Sequence, residues 1–281
     1  MEKRDMTYIQ FVEIMQREVR EQMQPEVQVE LHTTMKNNST RKIGLVLMQK
    51  GINMSPTIYM EEFYSRYLGG TEIPALVQVV RNIYEKVKVQ NSYPFENILS
   101  FPKVKDKICY QLIQKTTNRQ LLDQVPHDDY LDLAVVYYIL LENTDFGDAT
   151  LTVRNEHLHR WNVAQEEVAE AARRNTPHLL PLSMYPMVGH LHILTNNARS
   201  LGAAAILYPN ALEHAYEMLG ENFYILPSSI HEVILIPESH GIRRTQLDVM
   251  VKEVNANELE PSEVLSEHVY YYSGKEKRML D

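Results

Sequence analysis

The chain has 281 residues, of which 44% are apolar and 23% charged, a balance typical of a folded globular protein. Its 28 Lys and Arg residues stand against 37 Asp and Glu residues, and the formal charge of −9 disfavours nucleic-acid binding through a broad basic surface. A single cysteine, Cys109, excludes an internal disulfide and zinc sites built from several thiolates, and no apolar run approaches the roughly 20 residues of a membrane span. We therefore expect a soluble, cytoplasmic protein without a nucleic-acid or membrane partner.

The N-terminal third predicts a small lobe of helices around a hairpin. Over Thr7–Gln24, apolar residues recur with the 3.6-residue period of a helix that has one buried face. Alternating apolar residues at Val27–Leu31 and Ile43–Leu47 flank a polar turn, which indicates an antiparallel hairpin. A further helix is predicted from Pro74, since proline suits the first position of a helix. These elements define a predicted N-terminal lobe over residues 1–95.

The rest of the chain predicts a second lobe, residues 103–281, after the connection Asn91–Pro102. Its predicted strands lie at Lys107–Gln114, Leu131–Leu141, Ala149–Arg154, Leu191–Thr195, Ala203–Tyr208, Phe223–Leu226, Glu232–Ile236 and Val269–Tyr272. Its predicted helices lie at Asn118–Gln124, Asn155–Asn175, Asn210–Leu219 and Thr245–Val254. The pattern predicts an α+β fold with an antiparallel-rich mixed sheet packed by helices, and the two lobes could also form one continuous domain.

Two local expectations accompany this assignment. Asn162 and Gln165 have the spacing of a capping box, in which two side chains bond to the first free amides of a helix. The last residues, Ser273–Asp281, follow the final predicted strand and are expected to form a frayed tail. We therefore expect no regular structure after residue 272.

Ser228, Ser229, His231 and Glu232 form the tightest cluster of reactive residue types, in a loop between two predicted strands. A serine, an imidazole and a carboxylate are the groups of a nucleophile, its base and the base's orienting partner. In an extended segment, however, Ser229 and His231 face one side and Glu232 the other, and the sharp turn that exposes a catalytic serine is missing. A structural turn with serine hydroxyls bonded to the loop backbone is the interpretation we favour.

Histidine and aspartate clusters are the candidates for metal binding. His190 and His192 lie two residues apart at the start of a predicted strand, where both would face one side and could chelate a metal ion. Asp128, Asp129 and Asp132 could offer oxygen ligands to a divalent cation. Neutral surface histidines, and aspartates that cap an element or face solvent, are the interpretations we favour. No phosphate-binding glycine motif occurs, and we predict no cofactor.

Tyrosine is the one unusual residue count, with 17 tyrosines against six phenylalanines and one tryptophan. Tyr137–Tyr138 and Tyr270–Tyr272 are the clearest groups. A tyrosine has an apolar ring and a polar tip, so it serves both half-buried sheet faces and surfaces that bind partners. We favour packing at the margin of a sheet, with a surface for a protein partner as the alternative.

Several segments carry a resemblance to a known family. These are Leu194–Asn196, Gly202–Pro209, Asn222–Glu232 and Asp132–Val136, together with Trp161, Ala172 and Asn175. They resemble an uncharacterised bacterial family, a domain of unknown function from Firmicutes-type anaerobes. The resemblance covers most of the chain and implies one family-length unit of bacterial origin, without assigning a catalytic role to any residue.

The function that we predict from these observations is a non-enzymatic binding or regulatory module, because no complete catalytic constellation occurs in the sequence. The alternative is a hydrolase of unknown substrate that uses the loop with Ser228, Ser229, His231 and Glu232. Polar groups concentrated on a loop between strands motivate it, since such loops carry function more often than cores do.

Overall fold

The computed structural model describes residues 6–88, 92, 94–144, 147–227 and 229–280. These residues form helices and antiparallel strands, which confirms the predicted α+β class. They divide into two compact units. The first unit comprises the described residues of Met1–Lys36 and Thr40–Phe95, and the second comprises those of Asn37–Ser39 and Glu96–Asp281.

The first unit is a three-stranded sheet packed against helices. Its elements are α1 (Tyr8–Gln22), β1 (Val27–Met35), β2 (Arg41–Gln49), β3 (Thr57–Tyr59), α2 (Glu61–Leu68) and α3 (Ile73–Val87). Thr7 caps α1, because its hydroxyl accepts a hydrogen bond from the Gln10 amide. The apolar stripes of the helices meet the inner face of the sheet in a core that includes Phe11, Met15, Leu45, Leu47 and Val80. The predicted helix and hairpin of this region are confirmed.

The second unit contains two antiparallel sheets. Its strands are β4 (Ile108–Gln114), β5 (His127–Tyr130), β6 (Leu133–Thr144), β7 (Gly147–Thr152), β8 (Leu182–Pro186), β9 (His192–Asn196), β10 (Phe223–Leu226), β11 (Val233–Pro237), β12 (Tyr270–Ser273) and β13 (Arg278–Leu280). Its helices are α4 (Phe101–Val104), α5 (Arg119–Leu122), α6 (Asn155–Trp161), α7 (Gln165–Leu179), α8 (Ala211–Leu219) and α9 (Arg244–Asn257).

The strand order of these two sheets places the loops that matter for the site. In the four-stranded sheet, β6 pairs with β4 and also with β5 and β7. The six-stranded sheet has the order β13-β12-β10-β11-β9-β8, with every pair antiparallel. Both ends of β11 therefore adjoin loops that carry candidate residues, the turn from β10 at one end and the segment Glu238–His240 at the other.

Two predictions about the segments before β10 are wrong. Ala203–Tyr208 is not a strand, because Gly202–Leu207 forms buried 3₁₀ turns. A short apolar run suits a buried helical segment as well as a strand, so its pattern could not separate the two. Asn162 does not cap the start of a helix; it ends α6 with a φ of 54°, a left-handed conformation that asparagine tolerates.

The C-terminal region corrects the prediction of a frayed tail. Arg278–Leu280 forms β13, which pairs with β12, and the Met279 side chain is buried. Outside the C-terminal region, the strand Leu182–Pro186 was also not predicted, because Pro181 precedes it and Pro186 ends it. It is β8 at the edge of the sheet, where a residue without an amide hydrogen is tolerated.

Candidate functional site

The candidate catalytic residues that the structure describes, Ser229, His231 and Glu232, lie in the turn between β10 and β11. Ser229 is only 6% exposed, and its hydroxyl accepts a hydrogen bond from the backbone amide of His231, at 3.0 Å. The Ser229 amide in turn donates to the Glu232 carbonyl, at 3.3 Å. Ser228 lies outside the described residues. The structure thus brings Ser229, His231 and Glu232 together through backbone hydrogen bonds, as the turn interpretation expects.

The imidazole of His231 ties this turn to neighbouring segments. Its Nδ1 atom accepts a hydrogen bond from the Leu201 amide, at 3.1 Å, so this nitrogen carries no proton. The His231 carbonyl accepts a hydrogen bond from the buried Thr195 hydroxyl, at 2.7 Å. Its Nε2 atom lies 3.8 Å from the Glu263 carboxylate, which sequence analysis did not single out. One imidazole nitrogen is therefore committed to the backbone, and the other faces a carboxylate.

A second group of polar residues lines a cavity of about 560 Å³ at the opposite end of β11. We call it the histidine-lined cavity, and its walls include His190, His192, Met218, Glu221, Pro237 and His240. His192 begins β9, and Met218 belongs to the last turn of α8. Pro237 ends β11, and His240 lies in the 3₁₀ turn that follows it. The cavity thus forms where a helix end, a strand start and a strand end meet.

His190 and His192 reach this cavity by a route that the sequence did not predict. His190 lies in a turn before β9 with a φ of 62°, so the two histidines do not lie on one strand. The argument that residues two apart on a strand share a face is therefore wrong for this pair. The turn nevertheless leaves both side chains on the wall of one cavity, together with His240.

The polar atoms of the histidine-lined cavity differ in their partners. The Glu221 carboxylate accepts hydrogen bonds from the Ser239 amide and hydroxyl, each at 2.7 Å. In contrast, Nδ1 of His192 is buried and has no hydrogen-bond partner within the described part of the chain. No group of three or more His, Cys, Asp or Glu residues among the described residues is placed to hold a metal ion. Since the histidines of this cavity are not grouped for a metal ion, a shared metal would require the exposed His190 and His240 side chains to rotate.

The aspartates considered for cation binding belong to separate networks. Asp132 accepts hydrogen bonds from the Ser266 hydroxyl, at 3.0 Å, and from the Tyr270 hydroxyl, at 2.7 Å. Asp128 instead accepts one from the Tyr137 hydroxyl, at 2.6 Å. The oxygens of Asp128 and Asp132 therefore hold neighbouring segments of the fold together. Tyr270 is also completely buried, which fits the packing interpretation rather than a surface for a protein partner.

Comparison with protein families adds one match. Residues 8–192 and 186–274 match DUF5688, a family of unknown function. The chain belongs to this family. The resemblance to a domain of unknown function is confirmed, whereas bacterial origin stays a prediction. Comparisons of this DUF5688 chain with the curated proteins and with the solved structures find no match. No helix in its described part is long and apolar enough to cross a membrane.

Two residues of the histidine-lined cavity in this DUF5688 chain were not predicted from the sequence. His240 and Glu221 are remote in sequence from His190 and His192, and neither has a spacing typical of a metal site. They meet only because the six-stranded sheet places β11 beside β9. A weak signal was available, since Pro237 followed by Glu238–His240 indicates a polar turn directly after a buried strand.

Proposed function

We propose that this DUF5688 protein is a non-enzymatic binding module whose ligand occupies the histidine-lined cavity. The observation that carries the proposal is the buried Nδ1 atom of His192, which lacks a hydrogen-bond partner among the described residues and belongs to a wall residue of this cavity. Buried polar atoms in folded proteins almost always have a partner. If the His192 ring turned this nitrogen toward the cavity, a ligand would supply the partner that it lacks.

The lining favours a ligand that coordinates to imidazole. His190, His192 and His240 line one space, and neutral imidazole is a common ligand of divalent zinc, nickel and copper. The negative charge of Glu221 and the carbonyl end of α8 also favour a cation over an anion at this position. Rotation of the exposed His190 and His240 side chains would bring their nitrogens toward His192. Transition-metal ions are therefore the ligand class that we propose first.

Isothermal titration calorimetry of the untagged, metal-free protein with Zn²⁺ and Ni²⁺ tests this proposal. We expect one binding event per chain, weakened at least about tenfold in His192→Asn and in His240→Asn, as losses of ligands or their supports typically cost. His178→Asn, at an exposed position on α7, is the control and should bind like the wild type. Absence of binding, or equal weakening by His178→Asn, would contradict the metal assignment.

The hydrolase remains the second candidate, and it draws on one observation. The 3.8 Å approach of His231 Nε2 to Glu263 resembles the pairing of an imidazole base with an orienting carboxylate. Two hydrogen bonds favour a structural role for the same residues. The Leu201 amide donates to Nδ1 of His231, and the His231 amide donates to the Ser229 hydroxyl. Turnover of ester, peptide or phosphoester substrates that Ser229→Ala abolishes without unfolding the protein would support the hydrolase.

We also propose that the protein acts in the bacterial cytoplasm and has a protein partner. The single cysteine and the family resemblance support the location, and the acidic composition supports the absence of nucleic-acid binding. Fractionation of the source cells would test the location. Tyr270 and Tyr272 are buried, so a partner could contact only Tyr271 of this group or would bind elsewhere on the protein. Size-exclusion chromatography of the native protein from a cell extract would test for a stable complex.

We further propose that the two lobes, residues 1–95 and 103–281, are separate domains. The first unit has a hydrophobic core of its own, built from α1, α3 and the three-stranded sheet. We expect a fragment of residues 6–95 to unfold cooperatively in urea with the secondary structure described for that unit. A fragment that remains unfolded would instead favour one continuous domain.

A further inference from the structure

The second unit contains another cavity, of about 300 Å³, on one face of the four-stranded sheet. We call it the tyrosine-lined cavity, and its walls include Tyr110, Asp128, Asp129, Tyr130, Tyr137 and Arg173. We propose that it binds a small organic cation, an ammonium or guanidinium compound. The site shares none of these wall residues with the histidine-lined cavity, so it does not depend on the function proposed above.

Strand register explains why these side chains share one face. Tyr110 of β4 lies directly opposite Tyr137 of β6, and Asp128 of β5 lies directly opposite Val135 of β6. Residues directly opposite in a sheet, and residues two apart on one strand, point to the same side. Tyr130, two residues after Asp128, therefore joins the same face. The sheet thus sets three phenol rings around one carboxylate before any loop contributes.

Tyr110 gives the cavity a hydroxyl group that no other group in the described part of the chain uses. The residue is 3% exposed and lines the cavity, yet its hydroxyl makes no hydrogen bond within the described part of the chain. Burial raises the pKa of Tyr110 well above its usual value, so the hydroxyl stays protonated and its oxygen remains a neutral acceptor. A bound N–H group could donate to this oxygen.

Asp128 already shows how the cavity would hold a cation. Its carboxylate accepts hydrogen bonds from Tyr137 Oη at 2.6 Å, from Gln165 Nε2 at 2.9 Å and from Arg173 Nη2 at 3.3 Å. The Arg173 side chain is 68% exposed, and an ion pair exposed to this degree contributes only about 0–1 kcal/mol. A ligand cation could therefore replace the guanidinium of Arg173 beside Asp128 at little cost.

The charges and rings of the cavity favour a cation over an acid. Asp128 contributes a carboxylate to the walls whose partner Arg173 is largely exposed, whereas the Asp129 carboxylate pairs with Lys115. A bound carboxylate would lie close to Asp128 and would be repelled. The faces of tyrosine rings attract cations, most strongly where water is excluded. An alkyl ammonium or guanidinium would satisfy the carboxylate, the phenol oxygen and the rings together.

Four probes, each with a chain of four carbon atoms, separate these chemistries: n-butylguanidinium, n-butylammonium, n-butanol and butyrate. Binding to the full-length protein would be measured by ligand-detected NMR, which registers weak complexes. We expect the two cations to bind, with n-butanol and butyrate at least about tenfold weaker, the effect of a charge-assisted hydrogen bond. The cation that binds with the higher affinity shows whether ammonium or guanidinium compounds are the preferred class.

Two variants and a control test the assignment to this cavity. Asp128→Asn should weaken cation binding at least about tenfold, and Tyr110→Phe, which keeps the ring, should weaken it about threefold to tenfold. Asp106→Asn removes a carboxylate that pairs with Arg174, the neighbour of Arg173 on α7, and should leave binding unchanged. His192→Asn should also leave it unchanged, since His192 belongs to the other cavity.

Three results would overturn the proposal. These are stronger binding of butyrate than of either cation, failure of every probe to bind the wild type, and unchanged cation affinity in Asp128→Asn. Far-UV circular dichroism and urea unfolding of each variant would show that it is folded. If Asp128→Asn does not fold, Tyr110→Phe alone decides, and an unchanged affinity in that variant then counts against the site.

Discussion

His231 and His192 are two histidines of the second unit whose imidazoles have opposite situations. Nδ1 of His231 accepts a hydrogen bond from the Leu201 amide, and its Nε2 faces Glu263. Nδ1 of His192 is buried without a hydrogen-bond partner among the described residues. The difference teaches how to separate structural from functional candidates of one residue type. An imidazole bonded to the backbone holds the fold, whereas one with an unused nitrogen in a cavity wall can turn toward a ligand.

Gly202→Ala should give the largest effect on the structural side of this comparison. A Cβ atom at Gly202 would lie 2.6 Å from the His231 carbonyl and 2.7 Å from the Asn196 amide nitrogen, and it would also overlap the Thr195 hydroxyl. Since two of these contacts are backbone atoms, we expect the free energy of unfolding to fall by about 3 kcal/mol. Urea unfolding measures the change. Gly69→Ala, whose Cβ would meet only ordinary contacts, is the control.

Replacing each of the two histidines by phenylalanine tests the comparison directly. His231→Phe leaves the Leu201 amide without its acceptor, so we expect a loss of about 2 kcal/mol in the free energy of unfolding. His192→Phe removes a polar atom that has no partner in the described structure, so we expect a change below about 0.5 kcal/mol. Equal losses in the two variants would break the distinction between the two histidines.

Ser229→Ala should lower the free energy of unfolding by about 1 kcal/mol, because the His231 amide loses the hydroxyl that accepts its hydrogen bond. Chemical unfolding in urea again measures the change. Ser65→Ala is a matched control, since the Ser65 hydroxyl bonds to a carbonyl within α2 at an exposed position. Unchanged stability in Ser229→Ala would remove the structural interpretation of the loop and leave the hydrolase as the better account.

The smallest effect concerns His157, whose imidazole, like that of His231, is bonded to the backbone. Its Nδ1 accepts a hydrogen bond from the Arg154 amide, and burial lowers its pKa from the usual 6.5. The unfolded chain therefore binds a proton more readily than the native protein, so this residue costs stability as the pH falls below 6.5. The difference in unfolding free energy between pH 7.5 and pH 5.5 should be smaller in His157→Gln than in the wild type. If this pH-dependent difference is the same in His157→Gln as in the wild type, His157 does not have the lowered pKa.

Much of the fold followed from periodicity, but short segments without it did not. The apolar stripe of α1 and the alternation in β1 and β2 predicted their elements, because each pattern has one solution with a single buried face. Gly202–Leu207 offered no such pattern, and its 3₁₀ turns depend on contacts with distant segments such as Ile230. Local sequence does not contain that information.

The candidate site was predictable only in part, for a similar reason. The loop with Ser229 and His231 was located correctly as a turn between strands, and its hydrogen bonds fit the structural interpretation. His190 and His192 were noticed because they are close in sequence. Their companion His240 and the pairing of Tyr110 with Tyr137 depend on sheet register, which brings together residues from separate strands.

The position of Cys109 has a practical consequence. It is the single cysteine of the sequence, it lies in β4 opposite Tyr138, and its side chain is completely buried beside Leu180. A thiol reacts with a disulfide reagent only when the reagent can reach it. The rate at which the native protein is labelled therefore measures how often this part of the sheet opens. Cys109 is therefore a native probe for the opening of this part of the sheet, and no further cysteine has to be introduced.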